Sequence, residues 1–227
     1  MDAWMVLLGW ILFAGTHMGL SAEPFRGSLV SKMGEKGFQG LYSLISFVTF
    51  GFVITAYVMS RGESGLFMEQ GVDNQIVMSV CNLLMIFAFI VFFSGFINGT
   101  PMGMAPAKRE AFGITRITRH PMNMSFALFG LSHLLTNRLA ADWFFYGGFV
   151  LYGYFGSLHQ DRKKIRQLGD ELAAFVATTS IVPFMAIITG KQKLKPGEIS
   201  KLAVLLGVVI SLVAKVLHPS VRSQLFS

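Results

Sequence analysis

A chain of 227 residues that is 53% hydrophobic and 14% charged, with a mean hydropathy of +0.57, is too apolar for an ordinary soluble domain. Its formal charge of +7 does not make it a nucleic-acid binder, because its 19 Lys and Arg sit in short loops between apolar runs instead of on one soluble face. A single cysteine, Cys81, excludes an internal disulfide and a cysteine-built metal centre, and reads as a packing residue inside an apolar run.

The chain is expected to be an all-α, polytopic transmembrane helical bundle with about five or six spans, each needing about 20 mostly apolar residues. The first, Ala3–Leu20, has no Lys or Arg before it, so it lacks the basic start of a cleaved leader and reads as a retained span. Gly15 and Gly19 make a small-xxx-small pair that would let another helix come close. Gly40–Met59 and Ile76–Ile97 are the second and third spans, the latter rich in Phe89, Phe92, Phe93 and Phe96, which read as lipid-facing or core side chains. A hairpin follows, Pro121–Thr136 and Trp143–His159, interrupted by Asn137, Arg138 and Asp142. Ala173–Gly190 is diluted by Thr178, Thr179, Ser180 and Pro183 and is expected to lie in the interface or re-enter. Leu202–Leu217 is the sixth span, and the whole chain reads as one membrane domain, 1–227.

Basic residues number three in 22–37, one in 60–74, four in 98–119, one in 137–142, eight in 160–201 and two beyond. Positive loops face the cytoplasm. The alternation therefore places the N-terminus away from the cytoplasm and 15 of the 19 basic residues inside. A crossing at 173–190 would strand Lys191, Lys193 and Lys195 outside. The run Arg162, Lys163, Lys164, Arg166 reads as a topology signal and lipid-headgroup anchor.

Ionisable groups in or beside spans are candidates for function. His17, His120, His133 and His159 all lie within spans or at their ends, and His218 follows the last apolar run. Imidazole is a common ligand of haem iron, and helical bundles hold such cofactors between facing helices. The other reading of each histidine is a hydrogen bond to a neighbouring carbonyl and nothing more. No nucleophile elbow, glycine-rich phosphate loop or paired histidines four apart on a helix are present, so acyl transfer, nucleotide binding and a helix-borne zinc site lack a signal.

Short motifs run along the chain in order: Thr16-His17-Met18-Gly19-Leu20-Ser21, Gly34-Glu35-Lys36-Gly37-Phe38 with Gly40-Leu41-Tyr42-Ser43-Leu44, and Ile117-Thr118-Arg119-His120-Pro121. They continue through Leu131-Ser132-His133-Leu134, Asp161-Arg162, Thr179-Ser180 with Pro183-Phe184, and His218-Pro219. The resemblance they carry is to the NnrU family of membrane proteins, which is related to plastid zeta-carotene isomerases. It implies a haem b held by two histidines, and the matching positions are His17 and His133, the metal ligands by this reading. A redox-linked cysteine of the isomerase branch falls on Gly130. Arg119 and Arg162 would pair with haem propionates, as guanidinium binds carboxylate bidentately. Bacterial members are associated with denitrification and nitric oxide metabolism, which implies a cell inner membrane and an isomerase or redox reaction on an apolar substrate.

On the expected spans His17, His120 and His159 come level near the inner face, whereas His133 lies about 20 Å deeper. That second grouping is similar to isoprenylcysteine and phospholipid methyltransferases, whose Arg-His-Pro histidine and a later glutamate pair hold S-adenosylmethionine. Here Arg119-His120-Pro121 matches, while Gln160-Asp161 replaces the glutamates and Asn123 stands near the missing tyrosine. S-adenosylmethionine is thus the alternative cofactor, and a non-catalytic assembly or sensor protein is the third reading; protein partners are not indicated.

Overall fold

The structure, a computed structural model, describes residues 1–62, 65, 74–103 and 110–226. Lys108 and Arg109, two of the basic residues counted in 98–119, lie outside the described residues. The described residues form α1 (Trp4–Ser21), α2 (Phe25–Arg61), α3 (Gln75–Asn98), α4 (Pro121–Leu134), α5 (Ala140–Leu168), α6 (Asp170–Thr178), α7 (Met185–Ile188) and α8 (Lys201–Phe226). Two 3-10 turns, Gly113–Arg116 and Pro196–Glu198, lie between them, and no strand occurs among the described residues. The fold class is therefore the expected one. Helices α1, α2, α3 and the Lys201–Pro219 part of α8 are long and apolar enough to cross a bilayer, so the chain is a multi-pass membrane protein.

The expected hairpin forms, but neither arm has the length and apolarity of those four helices. Helix α4, at 14 residues, is about 21 Å long against a hydrocarbon core of about 30 Å. Helix α5 has 29 residues, but Asp142 and its glycines and tyrosines dilute it. As expected, 173–190 forms no spanning helix. The chain leaves α6 at an extended Thr179, and its backbone bonds to the loop before α4: Arg119 N to Ser180 O and Phe184 N to Ile117 O, both at 2.9 Å.

The segment 22–37, expected as a loop, is helical from Phe25 onward. Pro24 is its N-cap, where a missing N–H costs nothing. Helix α2 runs 37 residues and breaks at Gly34 (φ 74°, ψ 167°), a conformation that suits a residue without Cβ. Arg26 spans the break, bonded to Glu35 at 2.6 Å with its guanidinium 5.3 Å from the Phe38 ring centroid. Without the break α2 would be about 56 Å long, well beyond a bilayer core. Arg26 and Lys32 thus lie on a short helix before the break, and Lys36 lies just after it.

The chain divides into two compact units. The first holds α1, α2 and the start of α5. There Val6 and Trp10 of α1 and Val53 and Ala56 of α2 are buried, and a Cβ at Gly9 would lie 3.1 Å from the Val53 Cα. The close helix approach is therefore at Gly9. Gly15 and Gly19, expected to provide it, would meet nothing within 4 Å. The second unit holds α3, α4, the rest of α5 and everything up to Gln224. Val91, Ile114 and Ile117 form one buried cluster with Phe87 and Phe184 against it, and Met102, Leu172 and Phe175 form another. Large apolar side chains such as Phe47, Phe96 and Val216 stay exposed along the spans, as a lipid-facing surface requires. Cys81 is buried in α3, as its packing role predicts.

Candidate functional site

The first unit holds His17, and the second holds His120, His133, His159 and His218. In the first, His17 sits one turn before the end of α1, half-buried, with its ring between Phe13 (5.2 Å) and Tyr42 (4.6 Å). Its Nδ1 lies 2.9 Å from Ser46 Oγ, and Ser46 spends its own hydroxyl hydrogen on the Tyr42 carbonyl at 2.7 Å. Ser46 must therefore accept, so Nδ1 carries the proton and the neutral ring's lone pair lies on Nε2. The Tyr42 hydroxyl donates back to the His17 carbonyl at 3.3 Å, tying α1 to α2 at this point.

In the second unit His133 reaches the same tautomer by another route. Its Nδ1 is 2.9 Å from the Phe129 carbonyl one turn earlier, and a carbonyl can only accept. Phe129 also stacks obliquely against the ring at 4.4 Å. His218 of α8 lies beside it, ring to ring at 6.3 Å.

His120 differs in kind. It is buried at the start of α4, with Nδ1 3.1 Å from Gln160 Oε1 and Nε2 2.7 Å from Asp161 Oδ1. Both ring nitrogens are taken up by side chains of α5, so while these contacts stand neither is open to a metal. Arg119 beside it is 8% exposed and spends its guanidinium on Asp161 (2.6–3.1 Å) and the Thr179 carbonyl (2.8 Å). The Gln160-Asp161 pair is thus the partner of the Arg-His-Pro motif in this chain. Asp161 lies past the expected end of the fifth span, at the basic end. Burial pushes its carboxyl up, but the bonds from His120 and Arg119 outweigh this and hold it below the ordinary carboxylate range. His159 and Arg162 lie on α5 within a turn of this node, half-buried and exposed respectively, and take no part in these bonds.

A family model described as NnrU protein matches residues 5–223. The chain belongs to the NnrU family. Among its relatives are the 15-cis-zeta-carotene isomerase, chloroplastic, of Zea mays, 27% identical over 201 residues that cover 84% of this chain and 52% of that protein. The protein of the same name from Arabidopsis thaliana is 27% identical over 188 residues, covering 81% of this chain and 50% of its own length. The chain spans about half the length of these curated relatives. No solved structure matches it.

Within this NnrU-family chain, the donor chemistry of His17 and His133 fits an iron ligand. A ligating imidazole usually gives its other N–H to a carbonyl or a similar acceptor, and both residues do so. Arg119 is committed to Asp161, so pairing with a propionate would cost it an internal bond. A further cluster, in the first unit, was not expected from the sequence. Asp142, 1% exposed in the first turn of α5, accepts from the Tyr57 hydroxyl (2.7 Å) and from Arg61 Nε (2.8 Å). Tyr57 also stacks on Phe145 at 4.1 Å. The available signal is an acidic residue opening one apolar run opposite a basic residue closing another. Along the chain alone, Asp142 reads only as an interruption of the hairpin.

Proposed function

We propose that this NnrU-family protein is a membrane isomerase acting on an apolar, conjugated substrate, with a haem b held by His17 and His133. The observation that carries the reading is the shared tautomer of these two histidines, each with Nδ1–H given to a protein acceptor and the lone pair on Nε2. His120 lacks that state. The similarity to 15-cis-zeta-carotene isomerases supports the substrate class.

In this reading the protein's residues orient and exclude. Ser46 and the Phe129 carbonyl hold the two rings in one tautomer, while Phe13, Tyr42 and Phe129 limit their rotation and keep water away. Haem, when bound, supplies an iron able to exchange one electron with a polyene, which lowers the barrier to rotation about a conjugated double bond. The protein sits in a cell inner membrane with 22–37, 98–119 and 160–201 toward the cytoplasm. Support for this orientation comes from the second unit, where Gly113 and Arg116 meet Glu198, Lys164 meets the Gly103 carbonyl and Arg119 meets Asp161. Its basic segments are joined at one end.

The test is a visible spectrum, oxidised and dithionite-reduced, of detergent-purified protein expressed with haem supply. The expected result is a Soret band with sharp reduced bands, lost in His17→Ala and in His133→Ala and kept in His159→Ala. A haem-free spectrum overturns the cofactor. A band kept in both variants moves the ligands elsewhere. Conversion of a cis polyene, followed by chromatography, then tests the reaction.

A further inference from the structure

In the second unit an open cleft of about 510 Å³ lies among the segments after α3, in α6 and before α8. Ala111, Ala174 and Phe175 give it apolar walls, and Arg116, Thr178 and Gln192 give it a polar side, with Glu110 also lining it. Arg116 is held rigidly, its Nε 2.7 Å from Glu198 Oε2 and its Nη1 2.8 Å from Gln192 Oε1. Lys191 and Lys193 flank Gln192 in sequence; Lys191 is exposed and Lys193 is exposed as well.

The depth of the cleft follows from its neighbours. Helix α3 ends at Asn98 and α8 starts at Lys201, and both are membrane-crossing. Gly113 N donates to Glu198 Oε2 at 3.0 Å, joining the segment that follows one span to the segment that precedes the other. The cleft therefore stands where these spans leave the hydrocarbon. A second observation points to the same level. Val182, Met185 and Ile188, three residues apart, are 42%, 45% and 76% exposed on a stretch too short to cross. Lys191, Lys193 and Lys195 come directly after, and Gln192 N bonds to the Ala186 carbonyl at 2.9 Å. Exposed apolar side chains followed by lysines are what a segment lying in the headgroup region presents.

We infer that this cleft binds the phosphodiester headgroup of an anionic membrane lipid, with Lys191 and Lys193 at the phosphate and the acyl chains on the side of Met185 and Ile188. The carboxylates of Glu110 and Glu198 disfavour a small, multiply charged anion, whereas a singly charged phosphodiester meets the lysines and buries its first carbons against Ala174 and Phe175. This site is independent of the isomerase reading, since it uses neither histidine.

Native mass spectrometry of the full chain in neutral detergent tests it, with dioleoyl-phosphatidylglycerol, dioleoyl-phosphatidylcholine and inorganic phosphate as probes. Phosphatidylglycerol is expected to remain bound while phosphatidylcholine and phosphate do not. The Lys191→Gln/Lys193→Gln variant should weaken retention about tenfold or more. Ala174→Phe, which fills the cleft without changing charge, should weaken it as well. The control Lys32→Gln/Lys36→Gln removes the same charge from exposed positions of α2 and should leave binding unchanged. Equal retention of the two lipids, competition by inorganic phosphate, an effect of the control as large as that of the lysine pair, or full binding by Ala174→Phe would each overturn the assignment.

Discussion

Three histidines of one chain carry three different burdens, and the difference lies in what each faces. His17 gives its Nδ1 proton to a serine whose own hydrogen is already spent, His133 gives its own to a backbone carbonyl, and His120 is clasped between an amide and a carboxylate. The carboxylate, Asp161, also serves the buried Arg119, so its removal leaves a guanidinium without a counter-charge. Asp161→Asn should therefore cost about 3 kcal/mol or more, read as a fall in melting temperature in detergent; an unchanged melting temperature would deny the pair its structural role. Acid should act at the same bonds. Asp161 is held below its ordinary 3.8, and Arg116 with the Gly113 amide holds Glu198 down at about 2 from its ordinary 4.5. Both are depressed carboxylates, so their stabilising contributions are complete above those ordinary values and are lost as pH falls toward the folded ones. The wild-type protein should lose melting temperature below about pH 4.5, and Glu198→Gln should flatten that loss.

At the scale of helices, glycine decides where backbones approach. A Cβ on Gly207 of α8 would fall 2.6 Å from Ile90 Cγ1 and 2.7 Å from Ile90 Cα of α3. Gly207→Leu should thus separate two spans and destabilise by about 1–3 kcal/mol through overpacking. A Cβ added at Gly51, in α2, would meet nothing within 4 Å, so Gly51→Ala should be neutral or stabilise by up to about 1 kcal/mol, the helix-propensity difference. Matched thermal melts of the two variants check the contrast. The glycine pair four apart on α1 has the spacing of a packing seam, yet the seam is at Gly9. Spacing alone shows where a close approach is permitted; which face meets a partner depends on the partner helix.

At the scale of the whole molecule, charge and apolar length decide topology. The proposed orientation predicts that, in a Cys81→Ser background, an impermeant maleimide added to spheroplasts labels Gly65→Cys and spares Lys193→Cys. The reverse pattern would invert the protein in the membrane. Much of the fold is legible in the sequence: α1, α3 and the Lys201–Pro219 part of α8 match their expected spans within a few residues, because a run of about 20 apolar residues in lipid can satisfy its backbone only as a helix. That 173–190 forms no spanning helix is in keeping with the lysines a crossing would have stranded. The helical 25–33 stretch, the burial of Asp142 beneath Tyr57 and Arg61, and the joining of Arg119, His120 and Asp161 are not. By itself the sequence determined that the chain is a membrane-embedded helical protein and which side chains had chemistry to offer, since hydrophobic length and residue type are local properties. Only the tertiary structure decided that Ser46 meets His17, that Gln160 and Asp161 meet His120, and which carboxylate answers which arginine, because a hydrogen bond of about 3 Å here joins partners that lie far apart in the chain.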